Sequence, residues 1–363
     1  MNPRVDVIVE RKGVVLFPSG DSSEKDGILN PASATGLDGI FRLFPRCVAA
    51  GNVSSVGKVE LDDNTGTYVR TGFALVPQGI HEIREGGHGT EDPRITYVKP
   101  LNKWIMAYVA TGDHNGHSGC RIGIAVSDDG INFTRIGIVQ MREQWNLPEN
   151  NKDAAFFPEA VFSPTGELCL AFYERNMAEF PPAPGEHWVE PILREPFSNR
   201  QSIGLLYVPL ASALKDIYTL LTPTEHAVVM CPDESWGGVK LGGGSPPVRI
   251  KEGWLSIYHG IDAIRHSDNH YSIRYSGGIV IHDAEQPHKV LFRSPVPIIS
   301  PETADELSGY VNNVVFPTAI RERPDLGERI FDVYYGMADS KIGMFRLYLL
   351  AHCRKNGQHV RQI

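Results

Sequence analysis

One two-strand phrase recurs along this sequence and constrains its fold more than any other feature. A proline-containing turn enters a short apolar strand, and a polar turn follows. An aromatic-rich strand then ends near Tyr-Gly, Tyr-His-Gly or Tyr-Val-Ala. The phrase reads EDPRITYV, KPLNK, WIMAYVATG, and returns as FFPEAVF, SPTGE, LCLAFYERN. Third and fourth copies read GSPPVRI, KEG, WLSIYHG and FPTAI, RERPDLGER, IFDVYYGMAD. After each copy a second pair of strands is expected, in CRIGIAVSDDGINFTRIG, SIGLLYVPLASALKDIY, SIRYSGGIVIHDAEQPHKVLFRS and KIGMFRLYLL. The opening prolines, Pro93, Pro158, Pro246 and Pro317, are 65, 88 and 71 residues apart. GIFRLFPRCVAAG and YVRTGFALVP supply an irregular further copy near the N-terminus.

Units of about four strands repeated around a ring describe a β-propeller, and five units are expected here. A pair of packed sheets, a β-sandwich, also gives many short strands, but it does not require one phrase to return. The reading is therefore an all-β chain, a five-bladed β-propeller forming a single domain over residues 1–363 with a central pocket. Helical periodicity is confined to the short stretch Leu210 to Leu221. Glycine (36) and proline (26) make up about 17% of the chain, against roughly 12% on average, which favours turns over helices. The proline-rich segment Phe180 to Arg200 reads as a long loop over one face.

Thirty-five basic against 43 acidic residues leave a formal net charge of −8. Without a clustered basic face, that balance argues against nucleic acid as a partner. The five cysteines are widely spaced, with no C-x-x-C pair, so neither a disulfide framework nor a zinc site is expected. No apolar run approaches the ~18 residues of a membrane helix, and the first residues lack the apolar centre of a signal peptide. A cytoplasmic setting away from membranes is expected.

In a propeller, residues at the same phase of each repeat converge on the central channel. Asp92, Glu159, Ser245 and Thr318 stand at strand starts. Arg175, Tyr258, His259, Tyr335 and Asp339 stand near the ends of aromatic strands, Lys240 precedes three glycines, and Arg42 and Arg46 come from the irregular copy. Carboxylates bind sugar hydroxyls while Arg and Lys bind phosphate, so the set suits a polyhydroxylated neutral ligand together with an anion. Against this stands the plainer reading, turn-initiating Asp-Pro pairs and ordinary ion pairs. GGHGTED and LGGGSPP are glycine-rich but do not join a strand to a helix as a nucleotide loop must. No pattern for a serine or cysteine nucleophile is present.

The same phrases resemble glycoside hydrolase family 130. The resemblance runs from ILNPAS to KIGMFRLYLL through GIFRLFPR, GTEDPRITYV, NNKDAAFFPE, KLGGGSPP, WLSIYHG, PHKVLFRS, NNVVFPTAI and YYGMADSKIG. It implies a five-bladed propeller acting on β-mannosides. Many members are inverting phosphorylases that yield α-mannose 1-phosphate, and some are β-1,2-mannosidases that use water. Carried over by motif, Asp92 matches the catalytic acid, whose proton is thought to travel through a sugar hydroxyl. Asn30, Arg46 and Asp339 match sugar-binding positions, Lys240 a lysine near both sugar and phosphate, and Arg175 and His259 phosphate-binding positions.

Two departures weigh on the reaction type. Glu159 stands where several phosphorylases carry a phosphate-binding arginine, and Glu174 precedes Arg175 where His or Ser occurs in relatives. Either would be the base that inverting hydrolysis needs and phosphorolysis does not. The retained Arg175, Lys240 and His259, read as a cationic cluster, favour phosphorolysis, with hydrolysis or a non-catalytic sugar-binding propeller as alternatives. Inorganic phosphate is then a co-substrate, and no metal or organic cofactor is implied. Linkage preference, acceptor sugar and oligomeric state stay open at this stage, homo-oligomers included.

Overall fold

The computed structural model describes residues 5–114, 117–267, 270–355 and 358–362. Strand β1 (Asp6–Leu16) is followed by β2 (Gly27–Thr35), β3 (Phe41–Ala49), β4 (Val53–Asp62) and β5 (Thr67–Leu75), the last four forming an antiparallel unit. β6 (His88–Val98), β7 (Lys103–His114), β8 (His117–Ser127) and β9 (Thr134–Ile138) form the second. A short parallel bridge, Val53 to His88 and Ser54 to Gly89, joins these two units into one sheet. In the third, β10 (Asn151–Lys152) and β11 (Val161–Phe162) both pair with β12 (Leu168–Asn176). β13 (Ile203–Pro209) and β14 (Glu225–Met230) complete that unit.

The fourth repeats this plan. β15 (Lys240–Gly243) and β16 (Val248–Ile250) share β17 (Gly253–Arg265), followed by β18 (Tyr271–His282) and β19 (Val290–Arg293). The fifth holds β20 (Val315–Glu322), β21 (Ile330–Met337) and β22 (Lys341–Lys355), and its outer strand is β1. The chain's N-terminal strand therefore completes its last unit, running antiparallel to β22 from Asp6 opposite Leu350 to Leu16 opposite Ile342.

Buried side chains fill the space between each unit and the next. Ala32, Phe44 and Val56 of the first unit meet Ile95, Met106 and Tyr108 of the second. Ile105 and Ile122 then meet Leu170 and Leu206. Tyr173 and Leu205 meet Leu241 and Trp254, and Ile257 and Ile279 meet Val315 and Phe345. A fifth cluster joins Ala319, Tyr334 and Ile342 back to Ile28, Leu43 and Val59. Alternating side chains on each strand supply both faces of these contacts. The contact order is cyclic, with the last unit against the first.

Two expected strand pairs differ from this plan. KIGMFRLYLL is one strand whose partner comes from the N-terminus. SIGLLYVPLASALKDIY is β13 followed by helix α2 (Leu210–Lys215) after Pro209 and a 3-10 turn over Ile217–Leu221, capped by the Asp216 side chain. The helical periodicity of Leu210 to Leu221 wins there, and the outer strand is the later EHAVVM.

Candidate active site

The first strand of every unit is broken at the same phase. Register slips between Leu29 and Ala32 in β2, between Glu91 and Arg94 in β6 and between Pro317 and Ala319 in β20. The first strands of the third and fourth units are interrupted outright, between β10 and β11 and between β15 and β16. A bulge re-aims the side chains at its break. Asn30, Asp92 and Asp153 stand at three of these breaks with positive φ (43°, 45° and 61°), a conformation that Asn and Asp tolerate through their short polar side chains. The prolines Pro31 and Pro93 follow directly, and they supply no amide donor to the ladder.

On one side of this cluster, Asn30 Nδ2 donates to Asp92 Oδ1 at 2.9 Å. Arg46, on β3, reaches the same oxygen at 3.4 Å and Glu91 at 3.0 Å. It is held there by Ser54 Oγ (2.9 Å) and Asn52 Oδ1 (3.1 Å). Burial pushes the Asp92 carboxyl up, but Arg46, Arg94, the Asn30 amide and Lys152 outweigh it and hold it below the ordinary range. Asp92 is therefore a carboxylate in these surroundings. Asp339, also at positive φ (48°), is pushed up to about 6, chiefly by burial and then by Asp92 and Glu91, against the pull of Arg46. Gly336 leaves room for this arrangement, since a Cβ there would lie 2.0 Å from Asn30 Oδ1.

On the other side, Arg175, His259 and Arg94 gather around a buried carboxylate, Asp153. Asp153 Oδ2 is 2.9 Å from Arg175 Nε and 3.8 Å from His259 Nε2, and its Oδ1 is 3.6 Å from Arg94. Arg94 links the two halves, donating to the Asp92 carbonyl (2.6 Å) and to those of Gly244 (2.9 Å) and Gly243 (3.3 Å). Gly242 has to be glycine, because a Cβ would stand 2.3 Å from His259 and 2.4 Å from Asp153. The glycines of KLGGG therefore serve close backbone approach. His259 packs on Phe316 (4.2 Å between ring centroids), and neither ring nitrogen has a hydrogen-bond partner.

Burial, then Arg175, Arg94 and Lys240, push the His259 pKa well below its usual value, so the imidazole is neutral. Burial also brings Lys240 down to about 7, helped by Arg175 and Lys152 and opposed by Asp153. The expected cationic cluster is thus Arg175 with a lysine brought down to about 7 and an imidazole kept neutral. Burial among like charges is the reason.

Neither candidate base reaches this pocket. Glu159 pairs with Lys99 at 2.5 Å, just past the far end of β6, roughly 20 Å along the strand from Asp92 at ~3.3 Å per residue. Glu174 is buried on the strand face opposite Arg175, where it accepts from Asn151 Nδ2 (2.6 Å) and His226 Nε2 (3.0 Å). Several residues in phase with the site are structural. Ser245 Oγ accepts from the Ile257 amide, Thr318 donates to the Pro31 carbonyl, Tyr335 donates to Glu306 and Arg42 binds Asp38 and Glu60. Tyr258 packs flat on Trp236. The structure also adds Arg94, Lys152 and Asp153, which lie in quoted motifs but were given no role by sequence phase.

A carboxylate-bearing half and a basic half thus meet in one polar cluster on an all-β scaffold, an arrangement suited to a polyhydroxylated ligand together with an anion. The comparisons sharpen that reading. The sequence profile of glycoside hydrolase family 130, described as beta-1,4-mannooligosaccharide phosphorylase, matches residues 218–354. The 1,2-beta-oligomannan phosphorylase of Thermoanaerobacter sp. (strain X514) is 28% identical over 91% of this chain and 93% of its own. The beta-1,2-mannobiose phosphorylase of the same strain is 29% identical over 88% and 90%. Among solved structures, the beta-1,2-mannobiose phosphorylase of Listeria innocua in complex with beta-1,2-mannobiose superposes with a TM-score of 0.66 at 18% identity, covering 93% of this chain and 96% of its own. Over its C-terminal part by profile, and over most of its length by these relatives, the chain is similar to glycoside hydrolase family 130.

Proposed function

We propose that this chain is an inverting phosphorylase that cleaves a β-mannoside, a mannobiose or mannooligosaccharide, with inorganic phosphate to give α-mannose 1-phosphate. One observation carries the reading. Arg175, Lys240 and His259 gather with Asp153 beside Asp92, while both Glu159 and Glu174 turn away. A pocket with an anion site and no spare base among the sequence-derived candidates suits phosphate as nucleophile. The phosphorylase names of the full-length relatives point the same way.

In this scheme Asn30, Arg46 and Asp339 hold the mannosyl unit through its hydroxyls. A sugar that occupies Asn30 and Arg46 withdraws two of the interactions keeping Asp92 ionised and deepens its burial. In this scheme bound substrate thereby raises the Asp92 pKa and makes it the acid. A phosphate oxygen attacks C1 from the face opposite the leaving group, and the C1–O bond to the departing sugar breaks. The Asp92 proton reaches the departing oxygen directly or through a sugar hydroxyl. Arg175 and protonated Lys240 offset phosphate charge, and neutral His259 contributes a single N–H donor.

The five cyclically packed units are read as the blades of a propeller with this pocket at its axis. The described cysteines Cys47, Cys120, Cys169 and Cys231 are free thiols, which fits a reducing, cytoplasmic setting. No helix among the described residues is long and apolar enough to cross a membrane. Assaying β-1,2-, β-1,3- and β-1,4-mannobiose with and without phosphate tests the reaction type. Cleavage that requires phosphate is expected, and equal cleavage without it would replace the reading with hydrolysis.

A further inference from the structure

The segment after β12, expected to be a long proline-rich loop over one face, carries a short helix built onto the flank of β15. Its helix α1 (Val189–Arg194) buries Val189 and Ile192 against Val239, Ile261 and Tyr271. Arg200 closes the segment by donating to the carbonyls of Leu193 (3.0 Å), Glu195 (2.8 Å) and Gly238. The next residue, Gln201, accepts from the Leu241 amide at 3.0 Å. These ties fall immediately on either side of Lys240. They bring the ring of Trp188, the residue preceding α1, to 5.6 Å from Lys240 Nζ. Trp188 itself is 39% exposed, so part of the indole faces solvent while its ring lies near the lysine.

A lysine among like charges needs something to fix its head group. Arg175 and Lys152 both repel it, and Asp153 attracts it. The face of an indole attracts an ammonium and excludes water on that side. We propose that Trp188 is the positioning residue for Lys240, holding its ammonium toward the Asp153–Arg175–His259 group and so setting the affinity for phosphate. The proposal rests on the phosphorolytic reading. It assigns a defined task to a segment that otherwise looks like a variable loop.

Steady-state kinetics of Trp188→Ala and Trp188→Phe in both directions test it, with wild type as control. Trp188→Ala is expected to raise the KM for phosphate about fivefold or more, the scale of one lost cation–π contact. The kcat and the KM for the mannoside should stay within about twofold, since the indole makes no contact with Asp92 or its partners in this scheme. Trp188→Phe keeps an aromatic face and should recover most of the phosphate affinity. In synthesis, the KM for α-mannose 1-phosphate should rise while that for the acceptor sugar does not. An unchanged phosphate KM in Trp188→Ala, or a change confined to the acceptor, would overturn the assignment, the latter making Trp188 an acceptor platform. Wild-type cleavage that ignores phosphate would instead remove the phosphorolytic reading beneath it.

Discussion

Asn30 and Asp92 meet at 2.9 Å from two different units, each at a register break and each at positive φ. The contact joins the first and second units at the pocket, and it depends on both breaks occurring at one phase. Asn30→Gly keeps the left-handed backbone without strain and deletes only the amide. It is expected to lower kcat/KM by about tenfold, the scale of one lost hydrogen bond to a charged group, with little change in melting temperature. A drop in melting temperature larger than the loss of activity explains would show that the contact serves the fold.

Asp92→Asn isolates the acid. Asparagine tolerates the same positive φ and keeps most of the shape, so the variant should fold normally. Turnover on the best mannoside should fall by about 100-fold or more, as expected for loss of general acid catalysis. A folded Asp92→Asn enzyme with near wild-type turnover would remove this residue from the chemistry.

If Lys240 binds phosphate as proposed, that binding is expected to depend on pH. Its pKa of about 7 lies far below the usual lysine value because burial and Arg175 penalise the charge. Phosphate affinity should therefore fall as pH rises through about 7, and Lys240→Arg, permanently charged, should lose that limb of the profile. The linkage to stability has the opposite sense. The folded state gives up this proton before the unfolded state does, so this group adds stability as pH rises from about 7 toward the ordinary lysine value. Titrating phosphate affinity from pH 6 to 9 by calorimetry, corrected for phosphate's own ionisation, checks the first claim.

Replacing the same residue by an apolar one separates function from stability. Lys240→Met removes a cation that Arg175 and Lys152 repel. In phosphate-free buffer its melting temperature should rise by about 1 °C, roughly 1 kcal/mol in a chain of this size. Added phosphate, which should raise the wild-type melting temperature, should no longer do so. Equal phosphate-induced shifts in both proteins would place the anion elsewhere.

The closure through β1 can be tested by removing residues 1–16. Val7, Val9 and Val14 pack against the cluster between the fourth and fifth units, so their loss costs about 3 kcal/mol or more. It also exposes the long edge of β22 to aggregation. The truncated chain should fail to give a cooperative thermal transition, and a native-like melt would contradict the closure.

Much of this was legible in the sequence because one period governs it. The Pro-strand-turn-aromatic phrase marks the inner strands, and its phase, together with the family motifs, brings out Asn30, Arg46, Asp92, Arg175, Lys240, His259 and Asp339. Phase alone could not separate the pocket from the core, since Ser245, Thr318 and Tyr335 share it yet spend their polar atoms on neighbouring backbone or Glu306. Glu174 could not be placed because adjacent strand residues face opposite sides, and its partner His226 lies 52 residues on. The strand break that turns Asp153 into the pocket has no local signal beyond its motif. β1 was read only for a missing signal peptide, although its alternation of Val and charged residues is that of an edge strand.

The most direct test of the central claim is the identity of the first mannosyl product. Wild-type enzyme, β-mannobiose and inorganic phosphate should be followed by phosphorus and proton NMR from the first turnovers. Growth of α-mannose 1-phosphate in step with free acceptor sugar, with no mannose released from the cleaved unit, is the predicted result. Release of that unit as free mannose while phosphate remains unconsumed would contradict it.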